Sequence, residues 1–203
     1  MHKKRMKSST FFLLCLCLFA LAGCTSKMAS LVPDTASNAP DYFCTWNTQG
    51  YVVSYTGPDM MRSAMTEENM LGTGQYQNWV QFFPKIRKDL YFVMDDSWDI
   101  PRNENSANRN PYLGLCELDE GRFPSYQGTP AERLRLLTKR IKQEGWKGLG
   151  GWICAQKAGG YEHQSEEEYW TERLKAAANA GFSYWKVDWG HLDRNEDWRR
   201  MLT

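Results

Sequence analysis

The sequence contains no apolar run long enough to cross a bilayer, which takes about 20 apolar residues. Its one extended apolar stretch, Phe11 to Leu21, is too short. Neither sign of charge is in excess, with 25 Lys and Arg against 24 Asp and Glu. No basic patch suggests a nucleic-acid partner. There is no Gly-x-Gly-x-x-Gly fingerprint, so nothing speaks for a dinucleotide cofactor. Histidine is scarce, at three residues, and no cysteine stands at metal-ligand spacing from His163 or His191, which argues against a metal site. Of six cysteines, Cys15 and Cys17 lie in the apolar stretch and Cys24 follows it. Cys44, Cys116 and Cys154 remain, an odd set that allows at most one internal disulfide.

What the amino terminus does contain is an export signal. Lys3, Lys4, Arg5 and Lys7 form a positive segment with no acidic residue, and the apolar stretch after it has the length of a signal-peptide core. It ends in Leu21-Ala22-Gly23-Cys24. Small residues before a cysteine form a lipobox, so residues 1–23 are expected to be a lipoprotein signal peptide and Cys24 the lipidated first residue. The alternative is an ordinary secretory signal with an incidental cysteine. Residues 24–40, rich in Ser, Thr, Ala and Pro, read as a flexible tether. The expected location is the bacterial cell envelope, with the membrane contacted through the lipid on Cys24. Without the four leading cations the charge balance is 21 to 24.

Residues 41–203 are long enough for one domain with a real core. Nine Trp and ten Tyr are many for this length. Aromatic rings fill cores, and they also stack on the apolar faces of sugar rings. Strands are expected at residues 42–46, 90–94, 149–155 and 182–187. Leu90 to Met94 is an unbroken apolar run, as in strands covered on both faces. Helices are expected from Asp59 to Asn69, in a short piece from Tyr76 to Phe83, and after two capping boxes. These are Thr129-Pro130-Ala131-Glu132, closed by Gly145, and Ser165-Glu166-Glu167-Glu168, running to Gly181. A polar loop spans Ile100 to Gly128, and a last helix begins near Asn195. Alternating strands and helices argue for parallel βαβ units. Polar residues gather after the strands, at Asp95-Asp96, Gln156 and Asp188, where (β/α)8 barrels keep their catalytic groups.

Two of these strand ends carry candidate chemistry. Side chains alternate along a strand, so Tyr184, Lys186 and Asp188 share one face. Lys186 and Asp188 at a wet barrel mouth would partner each other, and an ionised, positioned Asp suits a glycosidase nucleophile. A structural salt bridge is the plainer alternative. Asp95 and Asp96 can each accept hydroxyl hydrogen bonds, as sugar recognition requires, or can form an acidic turn. Trp98, two residues on, could stack on a ring.

The chain resembles the α-galactosidase (melibiase) clan, glycoside hydrolase families 27 and 36. The motifs are Cys44-Thr45-Trp46-Asn47, Asp95-Asp96-Ser97-Trp98, Arg122-Phe123-Pro124, Gly145-Trp146-Lys147-Gly148-Leu149-Gly150 and Lys186-Val187-Asp188, in order from about Asp41 to Gly190. The resemblance implies the first half, about four βα units, of a (β/α)8 barrel. It implies a retaining glycoside hydrolase acting on an oligosaccharide or glycan, with no metal or organic cofactor. Asp188 would be the nucleophile, Lys186, Asp95 and Asp96 would hold sugar hydroxyls, and Trp46 and Trp98 would line the pocket. The third strand, ending at Gln156, departs from the tyrosine-bearing end common in family 27. The general acid of these enzymes follows the sixth strand, so the chain is expected to stop short of it and to be inactive alone. A non-catalytic glycan-binding lipoprotein is the other reading.

Overall fold

The structure, a computed structural model, describes residues 39–104 and 110–202. The segment expected to be a signal peptide, Cys24 and most of the expected tether lie outside the described residues. Four parallel strands, β1 (Tyr42–Cys44), β2 (Tyr91–Met94), β3 (Gly148–Ile153) and β4 (Tyr184–Val187), form one sheet in chain order. After β1 come α1 (Trp46–Val52), α2 (Pro58–Ser63), α3 (Glu67–Leu71) and two 3-10 turns. Then α4 (Pro130–Gln143) follows β2, α5 (Glu166–Asn179) follows β3 and α6 (Glu196–Met201) follows β4. Strands in sequential order with helical crossovers make a barrel wall, whereas a doubly wound sheet reverses its order midway.

The sheet curls. Tyr42 on β1 and Tyr184 on β4 have ring centroids 5.1 Å apart. In a flat sheet three strand spacings would hold them about 14 Å apart. Residues in register share a face, so Cys44, Val93, Gly150 and Tyr184 form one rank on the concave side. Glycine is required in that rank: a Cβ on Gly150 would stand 2.6 Å from the carbonyl oxygen of Tyr184. The convex side carries Phe92, Met94, Leu149 and Ile153, which pack in one core with Leu134, Leu137 and Ile141 of α4 and with Tyr169 and Trp170 of α5. The described residues thus form a curled, parallel four-stranded half-barrel of α/β type, with its long helices on the convex side.

Local signals set the helix starts. In both capping boxes the Ser or Thr hydroxyl accepts the N–H three residues on, and the Glu carboxylate accepts the cap's own N–H. Gly145 and Gly181 follow α4 and α5 in the left-handed region, at φ +93° and +79°. The expected helix from Asp59 to Asn69 is instead two helices. Thr66 is extended and caps α3 by accepting the Asn69 N–H, which ends α2 before it. Of the segment from Tyr76 to Phe83 only Trp79–Gln81 is helical, as a 3-10 turn entered through left-handed Asn78.

The long loop is not the polar surface segment expected. Ile100, Leu113, Leu118 and Phe123 are fully buried. Arg122 is buried with them. Its guanidinium donates to the carbonyls of Ile100, Arg62 and Met65, tying the loop to the end of α2. Cys44, Cys116 and Cys154 are all free thiols.

Asp99 anchors the start of this loop by accepting the Cys116 N–H at 2.9 Å. Burial pushes its carboxyl up to about 7. A folded value above the ordinary 3.8 means that Asp99 favours the fold while protonated. That contribution is full below the ordinary value and is lost as pH rises through about 7. Asp99→Asn should remove this component, so its urea midpoint should fall less than the wild type's between about pH 4 and pH 8. Parallel midpoint–pH curves for the two proteins would refute the assignment.

Candidate active site

The site is built around the end of β2. Thr45, the residue before α1, does not cap that helix with its side chain. Its hydroxyl accepts the Asp95 N–H at 2.8 Å and donates to Gln49 Oε1 at 2.8 Å. Gln49, also buried, donates to the carbonyls of Met61 and Asp96. The backbone of Asp95-Asp96 is thereby fixed before either carboxylate acts.

The two carboxylates diverge as the chain leaves β2 and enters a turn at Asp96. Asp95, 2% exposed, accepts the Lys186 ammonium at 2.7 Å and the Cys44 thiol at 2.8 Å on Oδ2. Its Oδ1 accepts the Asp96 N–H at 2.9 Å. Asp96 accepts Arg62 Nε at 2.8 Å and the Ser97 hydroxyl at 3.0 Å. Burial raises the Asp96 carboxyl, and the Arg62 guanidinium offsets only part of that rise. Burial works against the Lys186 cation, but the Asp95 carboxylate more than compensates and the net shift is upward. Burial, then the neighbouring Asp95, push the Cys44 thiol up to about 12, so it stays protonated and donates.

Asp188 follows β4 on the concave face. Its carboxylate Oδ2 accepts the indole N–H of Trp152 at 2.9 Å. Sequence reasoning paired Lys186 with Asp188, and the structure pairs Lys186 with Asp95 instead. The reason is electrostatic: Asp95 is out of water and needs the cation, whereas Asp188 is exposed.

Trp46, Arg62, Asp95, Asp96, Lys186, Asp188 and Trp189 together line a pocket of about 150 Å³ at the C-terminal ends of the strands. Five of the six proposed site residues therefore meet there. Trp98 does not. It is fully buried, stacks on Phe182 at 5.6 Å and donates its indole N–H to the Trp152 carbonyl. Ser97, at φ +84°, turns the chain so that Trp98 passes under the convex face, where no ligand reaches it. Arg62 and Trp189 were not singled out from sequence. Arg62 sits on a short helix with no chemical motif. Trp189 directly follows the Lys-x-Asp motif and could have been read with it.

A larger cavity of about 740 Å³ lies on the other side of the sheet, between α5, β4 and α6. It is lined mainly by apolar side chains such as Leu174, Phe182, Trp185 and Val187, with Lys175, Ser183 and Arg199 among them and no carboxylate. Among the described residues no cluster of His, Cys, Asp and Glu is arranged to hold a metal ion.

No protein-family model matches the chain, and no curated protein matches it. A crystal structure of a Bacteroides fragilis protein, provisionally named an alpha-galactosidase, is similar at 20% identity and a TM-score of 0.44. The likeness covers 80% of this chain and 30% of that one.

The Lys186–Asp95 pair has a measurable consequence. Lys186→Met leaves Asp95 buried without its cation, which should destabilise the fold by about 2 kcal/mol, the lower value reflecting the partial exposure of Lys186. Asp95→Asn combined with Lys186→Met should recover part of the loss in a double-mutant cycle of denaturant unfolding. Additive losses would show that the two side chains do not depend on each other.

Proposed function

We propose that the pocket is the glycone site of a retaining glycoside hydrolase of the α-galactosidase type. The observation that carries this reading is that Lys186, Asp95, Asp96 and Asp188 line one pocket together with the indoles of Trp46 and Trp189. A sugar ring offers hydroxyls at its rim and apolar C–H faces. Carboxylates accept from the hydroxyls, an ammonium donates to them, and indoles cover the faces. In the first displacement a carboxylate oxygen of Asp188 bonds to the anomeric carbon as the bond to the leaving oxygen breaks. Water then attacks the same carbon, the Asp188 ester bond breaks, and the configuration is retained. No cofactor enters either step.

Protonation of the leaving group needs a second carboxyl group. Asp95 and Asp96 are each held by a cation, and among the described residues the pocket is lined by no fourth carboxylate. This favours a second reading, a glycan-binding protein without turnover. α-Galactosyl fluoride separates the two, because fluoride leaves without a proton. Under the hydrolase reading the full chain releases fluoride, and Asp188→Asn loses about 10³-fold or more in turnover. Azide should partly rescue Asp188→Gly as galactosyl azide. Galactose binding without fluoride release would support the binder, and near-wild-type turnover in Asp188→Asn would end the nucleophile assignment.

The amino-terminal Leu21-Ala22-Gly23-Cys24 supports a further part of the proposal, that the protein is a lipoprotein of the bacterial cell envelope anchored through Cys24. Stable anchoring needs more than one acyl chain, as a diacylated cysteine supplies. Cys24→Ser should move the protein from the detergent phase to the aqueous phase on partitioning, or leave it unprocessed. Unchanged, processed partitioning would refute the anchor.

A further inference from the structure

We infer that Trp152 is a positioning residue for Asp188: its indole N–H holds Oδ2 and leaves Oδ1 to attack the sugar. The inference rests on the nucleophile reading above and extends it to a residue outside the pocket lining. Trp152 lies on the concave face of β3, in register with Lys186. It is fully buried, and its Nε1 is 2.9 Å from Asp188 Oδ2.

Three constraints hold the donor still. The Trp152 carbonyl accepts the indole N–H of Trp98 at 2.8 Å, so the strand end is tied to the core below it. The Trp152 ring packs among Ile100, Leu113 and Cys154, which belong to the long loop and to β3's own continuation. Trp189 meets it at 62° with centroids 6.2 Å apart. The backbone around Asp188 is fixed as well. The Ala155 N–H donates to the Trp189 carbonyl at 2.7 Å, and Gly190 lies so close that a Cβ there would stand 2.6 Å from the Ala155 backbone. What remains free is rotation of the Asp188 side chain, and the indole N–H removes it.

An indole N–H is a neutral donor that cannot accept or lose a proton here. It orients the carboxylate without cancelling its charge, as a bonded ammonium would. The chemistry then makes the two displacements unequal. When Oδ1 bonds to the anomeric carbon, Oδ2 becomes an ester carbonyl oxygen and a weaker acceptor. When water releases the sugar, the electron pair of the Oδ1–carbon bond returns to the carboxylate and Oδ2 regains charge. The hydrogen bond strengthens in that second step, so Trp152 assists release of Asp188 more than its attack.

The test uses the full chain and α-galactosyl fluoride, whose good leaving group makes the second step rate-limiting. Trp152→Phe removes the N–H and keeps an aromatic ring. We expect kcat to fall about 10- to 100-fold, the range for a lost hydrogen bond to a charged group. KM should fall with it, and a galactosyl adduct should accumulate in intact-mass spectra. Trp152→His, which packs worse but restores a ring N–H at similar reach, should recover part of kcat. A merely structural Trp152 predicts the reverse order, with His below Phe and no adduct. Independently of turnover, the Trp152 indole N–H resonance should move in Asp188→Ala, and an unmoved resonance overturns the inference even if Trp152→Phe does not fold. Inactive Asp188→Asn with wild-type kcat in Trp152→Phe overturns the inference alone. Active Asp188→Asn, or a wild type that releases no fluoride, removes the nucleophile reading and the inference with it.

Discussion

Asp95 is an ionisable carboxylate almost wholly out of water at the end of a buried strand, and the mouth of the sheet is organised by how it is satisfied. Removing such a group from water costs several kcal/mol unless charge and hydrogen bonds replace the solvent. Here the replacements come from three places. Lys186 reaches across from β4, Cys44 donates from β1, and the next residue's own N–H closes the remaining oxygen. Thr45 holds the backbone beneath. Because the donors stand on both edge strands of the described sheet, satisfying one carboxylate fixes the spacing of all four. A slip of β4 by one residue would turn Lys186 to the convex face and leave Asp95 orphaned.

That reach across the sheet is possible because β3 is nearly bare where the curl is tightest. Gly148 and Gly150 put no side chain on the concave face, and Tyr184 fills the space, stacking on Tyr91 and touching Tyr42. Gly151 serves the opposite face, where a Cβ would press on Phe182 and on the Trp98 ring. Small residues on β3 and large ones on its neighbours therefore set both the curvature and the depth at which Trp98 lies. Trp152, the first large side chain on the concave face of β3, then emerges at the level of Lys186.

Much of this was legible in the sequence where the determinant is local. The capping boxes at Thr129 and Ser165 are patterns within four residues, and the shared face of Lys186 and Asp188 follows from strand alternation. The parallel βαβ order followed from alternating elements. What was not legible depends on register between distant segments. Lys186 and Asp95 are 91 residues apart, and nothing local says that β4 delivers its cation to β2 and not to its own Asp188. Trp98 was placed at the pocket because Asp-Asp-x-Trp fixes spacing but not direction, and the positive φ of Ser97 reverses the direction. Arg62 carried no signal, since the carboxylate it pairs with, Asp96, lies 34 positions on.

The same bonds divide the carboxylates into two kinds. Asp95 and Asp96 are buried and each is tied to a cation, Lys186 and Arg62. A carboxylate so held has its charge balanced and its orientation set. Asp188 is exposed, and the partner that orients it is neutral. Lys186, two residues before it on the same face, would have been the obvious counter-ion. Burying Asp95 draws that cation away, and the indole of Trp152 takes its place at Asp188. Which carboxylate takes the cation and which keeps a neutral partner thus follows from which of the two is further from water.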